Sequence, residues 1–289
     1  MIQVQNKSEC CGCSVCANIC PKDCISLLPD SEGFSYPRVD TTLCIDCGLC
    51  EKVCPVINQD APREPLKVYA AKLKDDSLRN ASSSGGIFSA LAIEVIQQGG
   101  VVFGAVFDED WQVHHSYTEH IDGLAAMRGS KYVQSRIGDS YQQTKRFLEQ
   151  DRPVLFSGTQ CQIAGLNRFL RKQYPKLLTL EVICHGAPSP KVWQNYLKAQ
   201  KGISEINFRS KKNGWKTFSF EIYSSTENIT EYFGKNTYMQ AFLSNLSLRP
   251  SCYACPAKSG KSGADITLGD TRLEIALDRG ILTGGGREE

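Results

Sequence analysis

Cys10, Cys13, Cys16 and Cys20 are spaced C-x2-C-x2-C-x3-C and are followed by Pro21. Cys44, Cys47, Cys50 and Cys54 repeat that spacing and are followed by Pro55. This is the run by which bacterial ferredoxins hold 4Fe-4S cubes. Three cysteines at intervals of three wrap a loop around three corners of one cube. The fourth, before the proline, begins a short helix that leads to the other cube, so in two-cluster ferredoxins it ligates the opposite cluster. The expected ligand sets are therefore Cys10, Cys13, Cys16 and Cys54 for one cluster, and Cys44, Cys47, Cys50 and Cys20 for the other. Zinc also uses C-x2-C pairs, but it closes its site with four ligands and has no use for a third cysteine at the same interval. Cys11 and Cys24 fall outside the pattern and read as small apolar residues beside the clusters.

Four further cysteines lie far downstream. Cys161 follows the apolar run PVLFSG and Cys184 follows LLTLEVI, both read as strands. A parallel sheet gathers its ligands just past the carboxyl ends of its strands. Cys252 and Cys255 form a C-x2-C pair in RPSCYACP. Spacing alone leaves two readings open: four thiolates for another cube, or two buried apolar cysteines with a zinc-binding pair.

The elements that must hold these residues divide the chain into three stretches: a ferredoxin domain over residues 1–58, a polar linker over 59–66, and a larger domain over 67–289. Within the first, ISLLPDSEGFSYPRVD has the alternation and turn residues of a hairpin. In the larger domain, VYAAKL and VVFGAVF read as strands, with a helix over Ile87–Gln98 stopped by Gly99 and Gly100. A helix over 163–172 and another over Lys191–Ala199 follow the later strands. The expected architecture is an α+β ferredoxin-like two-cluster domain followed by an α/β domain with a largely parallel central sheet.

The stretch SSSGG, Ser82 to Gly86, opens the first long helix of that domain. Serine side chains cap helix N-termini, and paired glycines admit a ligand to the backbone. The helix dipole there favours an anion such as a pyrophosphate, although a bare cap is the commoner meaning of such a run. GKSG at Gly260–Gly263 is not a phosphate loop, because Cys255 stands where that motif needs glycine. His114 and His115 read as a solvated strand face, and His185 as a group that orients its loop beside Cys184.

Net charge is +2 from 33 basic and 31 acidic residues, without a long basic run. This argues against a nucleic-acid or membrane-surface partner. No apolar run reaches the length of a membrane span, and the N-terminus lacks a signal pattern. A disulfide framework would need export, so fourteen cysteines point to metal ligation in a cytoplasmic protein.

Six ordered stretches carry a resemblance: SSSGGIFSAL, GSKYVQS, LFSGTQCQIAGL, ICHGAPSPKVW, INFRSKKNGW and LRPSCYACPAKSGKSGADITLGD. Together they resemble the coenzyme F420 hydrogenase/dehydrogenase beta-subunit family, with a two-cluster ferredoxin domain fused in front. The resemblance implies an FAD-bearing iron–sulfur enzyme that moves electrons between a hydride donor or acceptor and one-electron clusters. It further implies a third 4Fe-4S cluster on Cys161, Cys184, Cys252 and Cys255. The flavin pyrophosphate would lie at Ser83, Ser84, Gly85 and Gly86, and Lys131 would touch flavin or substrate. Implied partners are a small-molecule hydride donor or acceptor and a redox protein or subunit; the rival reading is an electron-transfer subunit without its own substrate turnover. After Asp270 the chain turns polar and glycine-rich where the family continues, so a truncated domain is expected there.

Overall fold

The computed structural model describes residues 1–270 and 282–283. The expected truncation after about residue 270 lies outside the described residues.

The first domain is built as two similar loops. In each, the third cysteine of a run sits in the first turn of a short helix: Cys16 in α1 (Val15–Asn18) and Cys50 in α2 (Leu49–Lys52). Both helices start from a left-handed residue, Ser14 at φ 63° and Gly48 at φ 67°. That conformation turns the loop tightly, at a cost of roughly 1 kcal/mol for the serine. Between the loops, β1 (Ile25–Pro29) and β2 (Ser35–Val39) form the expected antiparallel hairpin. Its turn is held by Asp30, whose Oδ1 accepts from the backbone of Glu32 and Phe34 at 2.9 and 3.0 Å.

Residues 59–66 contain no helix or strand. Helix α3 (Asp76–Asn80) follows, capped by Asp75, which accepts from Leu78 N. Helix α4 (Ile87–Gln97) buries Ser89, Ala92 and Val95 along one face, as its periodicity requires, and stops ahead of Gly99 at φ 76°. VYAAKL is not a strand; it holds only a single bridge residue at Ala70 and is nowhere buried. The physical reason is that the sheet edge beyond β3 (Val101–Phe107) is taken by β4 (Val113–Thr118), which pairs antiparallel with β3 from Val102 to Phe107.

After the short α5 (Leu124–Met127) and α6 (Ser140–Glu149), the chain enters β5 (Val154–Thr159), α7 (Gln160–Leu170) and β6 (Leu177–Val182). Further along come α8 (Pro190–Leu197), β7 (Glu205–Ser210), β8 (Ser219–Tyr223), β9 (Ile229–Tyr232) and α9 (Thr237–Leu243). The described chain ends with β10 (Ile266–Gly269) and β11 (Leu282–Thr283). The central sheet runs β11-β10-β6-β5-β3-β4, parallel throughout except for β4. Its middle strands are continuous apolar runs because both faces are covered. Leu155 and Phe156 are fully buried, each contributing about 1.5–3 kcal/mol. Strands β7, β8 and β9 form a separate antiparallel sheet. It packs with α8 and α9 around Trp193, whose Nε1 donates to Trp111 O at 2.8 Å.

The two domains are in contact. Ser189 Oγ donates to Glu32 O, Asn18 Nδ2 to Gly138 O at 2.9 Å, and Arg249 reaches Cys10.

Candidate iron–sulfur centres

Cys20, Cys44, Cys47 and Cys50 line one cavity, with Ile25 and Val39 supplying apolar wall. Two loops and the cysteine before Pro21 thus meet around a common space. Backbone amides already point at two of the sulfurs: Ile2 N donates to Cys50 Sγ at 3.2 Å and Asp46 N to Cys44 Sγ at 3.4 Å. Such N–H donors stabilise negative sulfur and set cluster potentials. Cys24 lines the same cavity, with its sulfur 3.4 Å from that of Cys20.

Cys10, Cys13, Cys16 and Cys54 form the second group. Burial, then the neighbouring sulfurs of Cys10 and Cys54, pushes Cys16 up to about 12. Cys13 is within the field of Cys16 and Cys10, and Cys54 within that of Cys10. Raised thiol values are those of iron-free sulfur; a coordinated metal inverts them, because its charge removes the thiol proton. Cys50 also acts on Cys16 and Cys54, so the two groups adjoin.

The register of the central sheet positions the third group. Thr159 at the end of β5 lies opposite Val182 at the end of β6. Cys161 and Cys184 each follow by two residues, so both sit at the carboxyl edge. Cys161 is in the first turn of α7, whose start is fixed by a capping box between Thr159 and Gln162. The second pair is brought back by chain pairing: Pro188 bridges Leu248, Ser189 N donates to Ser247 O, and Arg249 N donates to Ala187 O at 2.8 Å. Cys252 Sγ then accepts from Ala187 N at 3.3 Å. Burial pushes Cys184 up to about 12, with Cys161, Cys252 and Cys255 adding to the effect. The four thiols therefore share one neighbourhood. Among the described residues, no three His, Cys, Asp or Glu side chains are gathered for a single metal ion.

Cys11, read from its spacing as an inert neighbour, makes a contact of its own. It is buried in one cluster with Cys13, and Cys161 is packed against that cluster. Nothing in the local spacing announces this contact.

The Ser82–Gly86 turn differs from expectation. Helix α4 starts from Gly86 at φ 81° and no serine side chain caps it. Ser82 Oγ instead donates to Leu78 O, and Ser83 Oγ accepts from Ser130 Oγ at 3.0 Å. Gly85 O accepts from Leu73 N, and Leu73 packs so closely on Gly86 that a Cβ there would lie 2.6 Å from it. Ser84 O accepts from Lys211 Nζ at 2.9 Å. Lys131, next to Ser130, is pushed down to about 8 by burial, while its ammonium donates to Arg128 O at 2.9 Å. Ser83 thus contacts the residue that precedes Lys131.

His115 is another correction, because it is buried rather than solvated. It stacks on Phe156, with ring centroids 5.3 Å apart. Nε2 lies 3.0 Å from Ser157 O and Nδ1 2.7 Å from Ser135 Oγ. A carbonyl only accepts, so Nε2 carries the proton and Nδ1 accepts from the serine. His185 lies edge-on to Phe242, at 5.0 Å between centroids.

A ferredoxin-like iron–sulfur domain joined to an α/β domain with a mostly parallel sheet is the class this fold and these sulfurs define. Residues 9–58 match a 4Fe-4S dicluster domain. Residues 68–140 and 151–285 match the N-terminal and C-terminal parts of the coenzyme F420 hydrogenase/dehydrogenase beta subunit. The chain belongs to that family.

It is similar to a subunit of the F(420)H(2) dehydrogenase of Methanosarcina mazei, at 22% identity over 80% of this chain and 70% of that protein. An uncharacterized protein of Methanocaldococcus jannaschii is 21% identical over 94% of this chain and 82% of its own length. Ferredoxin 7Fe of Hydrogenibacillus schlegelii is 41% identical over 21% of this chain and 74% of that protein. Among solved structures, a chain of the F420-reducing [NiFe] hydrogenase complex from Methanosarcina barkeri has the same fold. The TM-score is 0.50 at 17% identity, covering 77% of this chain and 83% of that one.

These matches correct the expectation of an FAD-dependent enzyme. The family model, the dehydrogenase subunit and the ferredoxin together support an iron–sulfur electron-transfer subunit. They give no support to FAD-based hydride transfer by this chain. No helix among the described residues is long and apolar enough to cross a membrane.

Proposed function

We propose that this chain is an iron–sulfur electron-transfer subunit of a larger oxidoreductase, with three four-iron centres in series. One would be held by Cys44, Cys47, Cys50 and Cys20, the next by Cys10, Cys13, Cys16 and Cys54, and the last by Cys161, Cys184, Cys252 and Cys255. Four-iron clusters supply one-electron transfer at potentials set by their surroundings. The protein's task is then to hold the centres close together, exclude water and present the ends of the series to partners.

The observation that carries this reading is the continuity of the sulfurs across the domain boundary. Cys16 and Cys50 share one buried cluster with Cys20, Cys44 and Cys54 packed against it, and Cys11 and Cys13 share another with Cys161 packed against it. The similarity to a dehydrogenase subunit supports a partner subunit that carries out the two-electron chemistry. Anaerobic purification with iron, acid-labile sulfide and zinc analysis tests the proposal. About twelve iron atoms per chain are expected from three four-iron clusters. Zinc in their place would overturn it, and about eight iron atoms would remove the third centre.

A further inference from the structure

Arg249 is 1% exposed, yet its described partners include no carboxylate. Its Nε donates to Cys10 O at 2.7 Å, Nη2 to Ser35 O at 2.9 Å, and Nη1 to Gln134 Oε1 at 3.3 Å. Nη2 also lies 3.5 Å from Cys10 Sγ. The guanidinium rests on the Tyr36 ring, 4.4 Å from its centroid, with Phe34 at 5.4 Å. Room for it exists because residue 12 is glycine: a Cβ there would stand 2.8 Å from Nη1.

Arginine does not lose its proton in proteins. A buried charge without a counter-charge costs several kcal/mol, and ring faces with neutral carbonyls offset only part of that. The remaining source of negative charge around it is sulfur. Cys10 is in contact, and Cys161 and Cys252 lie within the field of the guanidinium. Arg249 also belongs to the segment that returns Cys252 to the sheet edge, so one residue links both sulfur groups.

We infer that Arg249 is a positioning residue and counter-charge for the centre held by Cys10, raising its reduction potential where electrons cross between the two domains. This rests on the proposal that Cys10, Cys13, Cys16 and Cys54 hold a cluster. Reduction adds negative charge, so a fixed cation beside the sulfur stabilises the reduced form. Removing that cation lowers the potential.

The test is a redox titration followed by electron paramagnetic resonance on the whole iron-loaded chain. The relevant signal is the one lost in Cys10→Ser. Arg249→Gln is expected to shift its reduced-to-oxidised ratio at fixed potential at least tenfold toward oxidised, which is about 59 mV or more for one electron. Arg249→Lys keeps the charge and is expected to recover most of that shift. Gln134→Glu sets an anion against Nη1 without removing the arginine, and is expected to lower the same potential. It serves if Arg249→Gln fails to load iron. An unchanged potential in an iron-replete Arg249→Gln protein, or in Gln134→Glu, overturns the inference and leaves Arg249 a structural peg. Wild-type protein without a four-iron signal at this site would instead remove the cluster reading, and the inference with it.

Discussion

Cys11, in the first ferredoxin loop, belongs to a buried cluster against which Cys161, at the start of α7 in the other domain, is packed. Cys11 therefore stands between two proposed ligand groups while belonging to neither. Replacing it by alanine separates a bridging role from ligation. Cys11→Ala is expected to keep all of the iron and to cost about 1 kcal/mol of stability from the lost packing. Iron analysis checks this, since loss of about four iron atoms would make Cys11 a ligand.

Cys20 shares its cavity with Cys44, Cys47 and Cys50, although it belongs to the first run in sequence. Cys20→Ser is expected to degrade the cluster on the second run and leave the one on Cys10, Cys13 and Cys16 intact. Resonance spectra of Cys20→Ser, set beside those of Cys10→Ser, decide the matter. If both substitutions remove the same signal, the crossing of the fourth ligand is wrong.

Gly12 and Gly48 are both left-handed, at φ 72° and 67°. A Cβ at Gly48 meets nothing within 4 Å, whereas one at Gly12 meets Gln134 at 2.7 Å and Arg249 at 2.8 Å. Gly48→Ala is expected to cost about 1 kcal/mol from backbone strain alone. Gly12→Ala carries that strain plus the collision, for a total of about 2–3 kcal/mol. Thermal midpoints of the two iron-loaded variants should differ in that order. Equal midpoints would mean that Arg249 moves aside without cost.

The ferredoxin runs were legible because their ligation pattern is local: spacing within eleven residues places three sulfurs on one loop. Strands β3, β5 and β6 were legible as continuous apolar runs, and with them the edge that carries Cys161 and Cys184. Arg249 and Cys11 were not legible, since their partners come from the other domain and no spacing encodes that contact. His115 had a signal that pairing it with His114 obscured. It stands two residues after Val113, and the two are buried on the same face of β4. VYAAKL misled because apolar residues suggest a strand without saying whether a sheet edge is open to receive it.

Because His115 is buried and neutral, it links stability to pH. Burial holds its value down at about 4, against an ordinary 6.5. Between those values the unfolded chain binds a proton that the folded chain refuses, so stability falls as pH drops from 6.5 toward 4. Above 6.5 the residue contributes no slope, and below 4 the penalty is complete. A shift of this size corresponds to roughly 3 kcal/mol. His115→Phe keeps a ring against Phe156 but leaves Ser135 Oγ and Ser157 O without their imidazole partner, at a pH-independent cost of about 1–3 kcal/mol. The variant is therefore expected to be less stable than wild type at pH 7.5 and to close that gap by pH 5. Denaturant unfolding at the two pH values, under identical iron loading, measures the gap. A gap that stays constant with pH would mean that His115 does not stay neutral in the folded chain.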